Sequence, residues 1–95
     1  MDMPPPDGPL YSAVSAGDAA AFGELFERHH RAVYNHAFRL TGSWTLAEDV
    51  TQATFMTAWR RRGQATLVDG SVLPWLLVVA GNTVRTERRS VRRWL

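Results

Sequence analysis

TLAEDVTQATFMTAWRRR, residues 45–62, is the stretch whose reading decides the fold. Thr45 followed by Glu48 has the form of a capping box, in which hydroxyl and carboxylate each satisfy a free N–H at a helix start. At ~100° per residue, Leu46, Ala47, Val50, Ala53, Thr54, Thr57 and Ala58 fall on one side, small enough for close packing on another helix. The opposite side carries Asp49, Gln52, Phe55, Met56 and Trp59. That face is too apolar for free solvent and too polar for an ordinary core, so a second helix and a partner protein are both expected to cover it.

Helical signals continue on either side. Gly17 and Asp18 stop a short helix over residues 10–16 and cap the next one. In that next helix Phe22, Leu25, Phe26, Val33, Ala37 and Leu40 recur at helical spacing until Gly42. After Gly63 comes a loop over residues 64–71 whose turn signal is Asp69-Gly70. A last helix begins near Ser71 to Pro74, since proline suits a first turn. Residues 1–9, with Pro4, Pro5, Pro6 and Gly8, read as a frayed tail before a domain over 10–95. No strand-period segment or repeat is present. The expected class is all-α: a compact helical bundle of three long helices plus a short N-terminal one. Phe22, Phe26, Val33, Val50, Ala58, Leu76, Val79 and Ala80 are expected to share its core.

Ninety-five residues make one small domain. Without cysteine there is no disulfide and no thiolate metal site, which fits a reducing cytoplasm. The run 72–80 is too short to span a bilayer, and no signal peptide is visible. All eleven Lys+Arg positions are arginine, and the net charge of +2 hides an asymmetry. Only acids precede Arg28, whereas residues 85–93 hold five arginines against Glu87. In the last helix Arg85, Arg88, Arg89 and Arg92 stand at i, i+3, i+4 and i+7. Leu76, Val79, Ala80, Thr83, Val84 and Val91 take the other side. Four aligned like charges repel unless a polyanion meets them, which favours nucleic acid over a solvated face. Asn82, able to pair with a base edge, and Gly81 extend the stripe backwards.

Other chemistry finds little support. His29, His30 and His36 lack the spacing of a metallohydrolase helix, so no metal site is expected. Glu48 and Asp49 point ~100° apart and form no acid/base dyad. No elbow or base partner marks a nucleophile. Trp44, Trp59 and Trp75 read as core or hinge packing. Neither an enzyme nor a cofactor is expected.

In order and spacing, these elements resemble region 2 of the bacterial sigma-70 family, specifically its extracytoplasmic function (ECF) group. Residues 22–40 resemble region 2.1. AEDVTQATFMTAW (47–59) is similar to the AED-x-x-Q-x-x-F-x-x-x-W segment of region 2.2. WLLVVAGNTVRTERR (75–89) is similar to the WL-x-x-I-A-x-N-x-x-x-D-x-x-R segment of region 2.4. The resemblance implies docking of Asp49, Gln52, Met56 and Trp59 on the clamp helices of the RNA polymerase β′ subunit. It implies contact of Asn82, Arg85, Arg88 and Arg89 with the −10 promoter element, whose non-template strand is held open. The loop residues Leu67, Val68, Asp69, Gly70 and Ser71 would then form a pocket for an extruded base. It also implies transcription initiation in the cytoplasm, an anti-sigma factor as regulatory partner, and no membrane association. The sequence departs from the pattern at Ala53, where Glu is usual, and at Thr86, where an acid is usual. No helix-turn-helix follows, so the chain is expected to be an isolated region 2 domain without region 4. The alternative is a helical protein-interaction module that binds a regulatory protein, its basic helix only a solvated face.

Overall fold

The computed structural model describes residues 6–94, with side chains as far as Arg88. Four helices follow one another: α1 (Gly8–Ser15), α2 (Ala19–Thr41), α3 (Trp44–Arg60) and α4 (Leu73–Trp94). The three long ones contact each other pairwise, and α1 lies against α2. Among the described residues the only β pairing is the bridge between Val68 and Ser71.

Local chemistry sets most of the ends. Asp18 Oδ1 accepts from the Ala21 N–H at 3.1 Å and opens α2. Gly42 closes it in the left-handed region, φ 70°, with its N–H on the Phe38 carbonyl, a conformation glycine adopts without a Cβ penalty. The chain then turns extended at Ser43, whose Oγ accepts from the Leu46 N–H at 3.2 Å. This corrects the capping box expected at Thr45 and Glu48. A cap must stand outside the helix with extended backbone, and that geometry falls at Ser43, directly after the turn at Gly42. The helix has already begun at Trp44.

The folded domain also begins earlier than the expected boundary at residue 10. Residues 1–5 lie outside the described residues, but Asp7 is buried and α1 starts at Gly8. Residues 6–9 therefore belong to the fold.

Leu25, Val33, Ala37, Ala47, Val50, Ala58, Leu76, Val79, Ala80 and Val84 form the centre of the bundle, as the periodicity predicts. The roll of α3 differs. Its buried residues are Ala47, Val50, Thr51, Thr54, Phe55 and Ala58, whereas Leu46 is 47% exposed. Thr51 and Thr54 each donate their hydroxyl to the carbonyl one turn back, Ala47 and Val50, at 2.7 Å. With the hydroxyl satisfied inside its own helix, threonine packs as a small hydrophobe. The helix thereby turns toward α2, and Phe55, expected on the mixed face, enters the core edge-on to Phe26 (4.9 Å between centroids) and Phe22 (6.3 Å). Phe22 and Phe26, expected inside, are half-buried because Phe55 occupies the position beneath them. Leu40 is exposed at the end of α2. At the α2–α3 corner Trp44 stacks flat on Phe38, 3.7 Å apart, which fits hinge packing.

Phe55→Ala should cost about 3–5 kcal/mol, the loss typical of a buried phenylalanine. Half-buried Phe26 should cost no more than about half of that when truncated. Denaturant unfolding of the two variants checks the order; a larger loss at Phe26 would show that Phe55 is not the anchor.

Candidate nucleic-acid interface and the opposite helical face

The connection from α3 to α4, residues 61–72, ends in a tight two-residue turn bridged by Val68 and Ser71. Asp69 (φ 51°) and Gly70 (φ 75°) are both left-handed, the backbone of the two-residue turn for which Asp-Gly is a preferred pair. Val68 and Ser71 exchange N–H···O bonds of 2.9 and 3.0 Å across it. Ser71 Oγ accepts from the Leu73 N–H at 3.1 Å, at the start of α4.

Both ends of the connection are held from elsewhere in the chain. Near its beginning the Tyr11 hydroxyl accepts from the Gly63 and Ala65 N–H groups at 2.9 and 3.1 Å. Near its end Asp7 Oδ2 accepts from the Val72 N–H at 2.9 Å, and the Asp7 N–H donates to the Gly70 carbonyl at 2.7 Å. The same carboxylate pairs with His29 at 2.8 Å and with Arg28 at 3.1 Å. An ionised carboxylate only accepts, so His29 Nε2 carries the proton in this contact. Burial by itself would raise the Asp7 pKa. The Val72 N–H, then His29 and Arg28, outweigh it and hold the carboxyl below its ordinary 3.8.

The N–H groups of Val68, Ser71, Val72 and Leu73 are used inside the protein. None of these bonds uses the N–H of Asp69 or Gly70 at the tip. Leu67 is half-buried and Val68 is 50% exposed.

On α4, Asn82, Arg85 and Arg88 are exposed on the outer side. Arg85 donates to the Asn82 side-chain oxygen, which leaves the amide nitrogen of Asn82 facing outward chemistry as a donor. Arg88 reaches the Leu40 carbonyl at the end of α2, where a cation also meets the negative end of the helix dipole. Val78 is 60% exposed. The Arg89 and Arg92 side chains lie outside the described residues. A side chain at Gly81 would meet open space within 4 Å, so no packing contact demands the glycine there.

The outward face of α3 presents Asp49 and Gln52, with Met56 66% exposed between Gln52 and Arg60. Trp59 is half-buried against Phe22, 5.1 Å between centroids, and the Arg62 guanidinium lies 4.5 Å over its ring. Gln52, Met56 and Trp59 line an aromatic groove together with Phe22, Phe26 and Phe55. Asp49 stands apart, in a hollow with Leu46, Val84, Glu87 and Arg88. The four expected contact residues thus form one strip along α3 but border two different depressions. His29 and His30 serve internal contacts, His30 stacking on Phe26 and bonding its carbonyl.

Residues 25–94 match the family described as Sigma-70 region 2, and the chain belongs to the sigma-70 family as a region 2 domain. It is 36% identical over 81 residues to the ECF RNA polymerase sigma factor SigL of Mycobacterium tuberculosis, covering 85% of this chain and 46% of that protein. It is 35% identical over 83 residues to the ECF RNA polymerase sigma factor BldN of Streptomyces coelicolor, 87% of this chain and 31% of that one. The RNA polymerase sigma factor CarQ of Myxococcus xanthus is 38% identical over 77 residues, 80% and 43% of the two chains. The chain therefore spans less than half the length of these relatives. No solved structure matches it.

The Asp7 geometry makes a prediction about acid. A carboxyl whose folded pKa lies below the unfolded one stabilises the fold above the unfolded value, and this contribution is lost as the pH falls through the folded value. Asp7→Asn should cost about 2–3 kcal/mol at neutral pH, near the upper cost of disturbing a buried bonded group. Its deficit against the unsubstituted protein should shrink as the pH drops below about 4. Unfolding curves at several pH values decide this, and a deficit that is constant with pH would remove the charge from the account.

Proposed function

We propose that this chain is the promoter-reading and polymerase-docking domain of an ECF sigma factor. The exposed strip Asp49, Gln52, Met56 and Trp59 docks on the clamp helices of the β′ subunit. The outer side of α4, with Asn82, Arg85, Arg88 and Arg89, tracks the backbone of the −10 non-template strand. The turn formed by Leu67, Val68, Asp69, Gly70 and Ser71 receives one unpaired base. Such a base exposes an edge that a stacked duplex hides, and the tip N–H groups of Asp69 and Gly70 can bond to it. The role is non-catalytic and belongs to transcription initiation in the bacterial cytoplasm. Among the described residues no helix is long and apolar enough to cross a membrane. An anti-sigma factor competing for the same surfaces is the regulatory partner this reading implies.

The observation that carries the reading is the family match over residues 25–94. It is supported by the arrangement: a mixed apolar and polar strip on α3, and a cationic side with an adjacent exposed turn on α4. A regulator-binding module with idle arginines leaves both the match and the turn unexplained, and it is not favoured.

Two measurements test it. Replacing Asp49 and Gln52 together by Ala removes two exposed side chains, so the melting temperature should hardly move while affinity for core RNA polymerase falls at least tenfold, about 1.4 kcal/mol. Wild-type affinity in the folded double variant would exclude this strip as the docking surface. On single-stranded −10 DNA, removing Arg85 and Arg88 together should flatten the log–log salt dependence of binding by roughly 1.4, two phosphate contacts' worth. An unchanged slope would return the stripe to solvent.

A further inference from the structure

Asp7 occupies the N-cap position of α1, where an aspartate ordinarily accepts from the N–H groups of its own helix. It makes no such bond. The carboxylate, 3% exposed, is instead turned onto the far end of the α3–α4 connection, at Val72, and onto Arg28 and His29 of α2. One turn further along α1, Tyr11 is also buried, and its hydroxyl takes two N–H groups at the near end of the same connection. These bonds cross 52, 54 and 65 positions of sequence. Between them Pro6 lies under the turn: a Cβ placed on Gly70 would come within 3.2 Å of the Pro6 Cβ. A two-residue hairpin held by one bridge has little rigidity of its own. The connection that carries this hairpin is gripped near both ends, and the hairpin's tip is approached by Pro6.

We propose that Asp7 and Tyr11 are positioning residues for promoter reading: from the N-terminal side of the domain they hold the turn at residues 67–71 in the shape that accepts the unpaired base. Neither side chain touches DNA in this arrangement. The proposal rests on the reading that this turn captures a base, and it goes beyond that reading by assigning the fidelity of capture to residues outside the turn and outside α4. A binding constellation must be held to a fraction of an ångström to discriminate, and here the restraint is supplied across the fold. Affinity for the strand comes mainly from the phosphate contacts of α4, which Asp7 and Tyr11 leave alone, so their loss should affect base choice more than overall binding.

The test uses the protein loaded on core RNA polymerase and single-stranded −10 oligonucleotides that differ only in the captured base. Three forms are compared with the unsubstituted protein: Tyr11→Phe, Asp7→Asn, and an exchange of residues 67–71 for the turn of a relative with another base preference. A single wrong base costs roughly 5- to 150-fold in affinity, and Tyr11→Phe and Asp7→Asn should each cut that ratio to below about threefold while polymerase affinity stays constant. Domain destabilisation alone would weaken binding of every oligonucleotide alike and leave the ratio untouched, and that result overturns the proposal. Should Asp7→Asn melt below the assay temperature, Tyr11→Phe, which removes only a hydroxyl, decides the matter by itself. If the turn exchange redirects base choice while Tyr11→Phe keeps the original ratio, the turn reads the base and the N-terminal brace is refuted. If none of the three forms alters base choice, the turn does not read sequence, and both the brace and the underlying reading fall.

Discussion

A carboxylate taken out of water has to be met by donors or it destabilises the fold by several kcal/mol. Asp7 is the charged residue buried in this domain among the described residues, and the way it is met organises the structure around it. Its donors come from three places: the backbone of Val72 at the entrance to α4, and the side chains of Arg28 and His29 on α2. Satisfying one group therefore brings the N-terminal segment, the second helix and the α3–α4 connection to a single point. The start of α4 is anchored there.

The hydrophobic core divides the remaining work. α2, α3 and α4 meet along small and branched residues, and Phe55 wedges between α3 and the aromatic side of α2. With Phe55 turned inward, Gln52 and Met56 are left on the outside of α3 beside the half-covered Trp59. The same packing buries Leu76, Val79, Ala80 and Val84 of α4 and leaves Asn82 and Arg85 outside. Two exposed surfaces, the strip on α3 and the outer side of α4, thus emerge on two helices that share one core. Because the two surfaces share that core, their separation is held constant. The acids that precede Arg28 and the arginines of residues 85–93 lie at opposite ends of the sequence, although Asp49 and Glu87 stand beside Arg88.

Much of this was legible in the amino acids. Helix stops and starts at Gly42, Asp18 and Pro74, and the Asp69-Gly70 turn, follow from backbone preferences of single residues, which act over three or four positions. The exposure of Asp49, Gln52, Met56, Asn82 and Arg85 also followed from helical period. Phe55 falls on the wrong side when the packing side of α3 is drawn through Leu46, Ala53 and Thr57 and leaves out Thr51. Thr51 hides its hydroxyl on the Ala47 carbonyl, and once it counts as apolar the buried side of α3 shifts to include Phe55. The cap at Ser43 was missed for a related reason. Thr45 and Glu48 match a local rule, but the backbone after Gly42 reaches the extended geometry of a cap two residues sooner.

By itself, then, the sequence determined the number and order of the helices, the turn between the last two, the cationic side of α4 and the family. These depend on local conformational energies and on periodicity, both written in neighbouring residues. Only the tertiary structure decided the roll of α3, the engagement of Arg88 with the end of α2, and the grip of Asp7 and Tyr11 on the distant connection. The contacts of Arg88, Tyr11 and Asp7 join groups between 48 and 65 positions apart, and the roll of α3 depends on Phe55 meeting Phe22 and Phe26 of another helix. No period or propensity carries such a pairing, because a donor and an acceptor that far apart meet only after hydrophobic burial has brought their helices together.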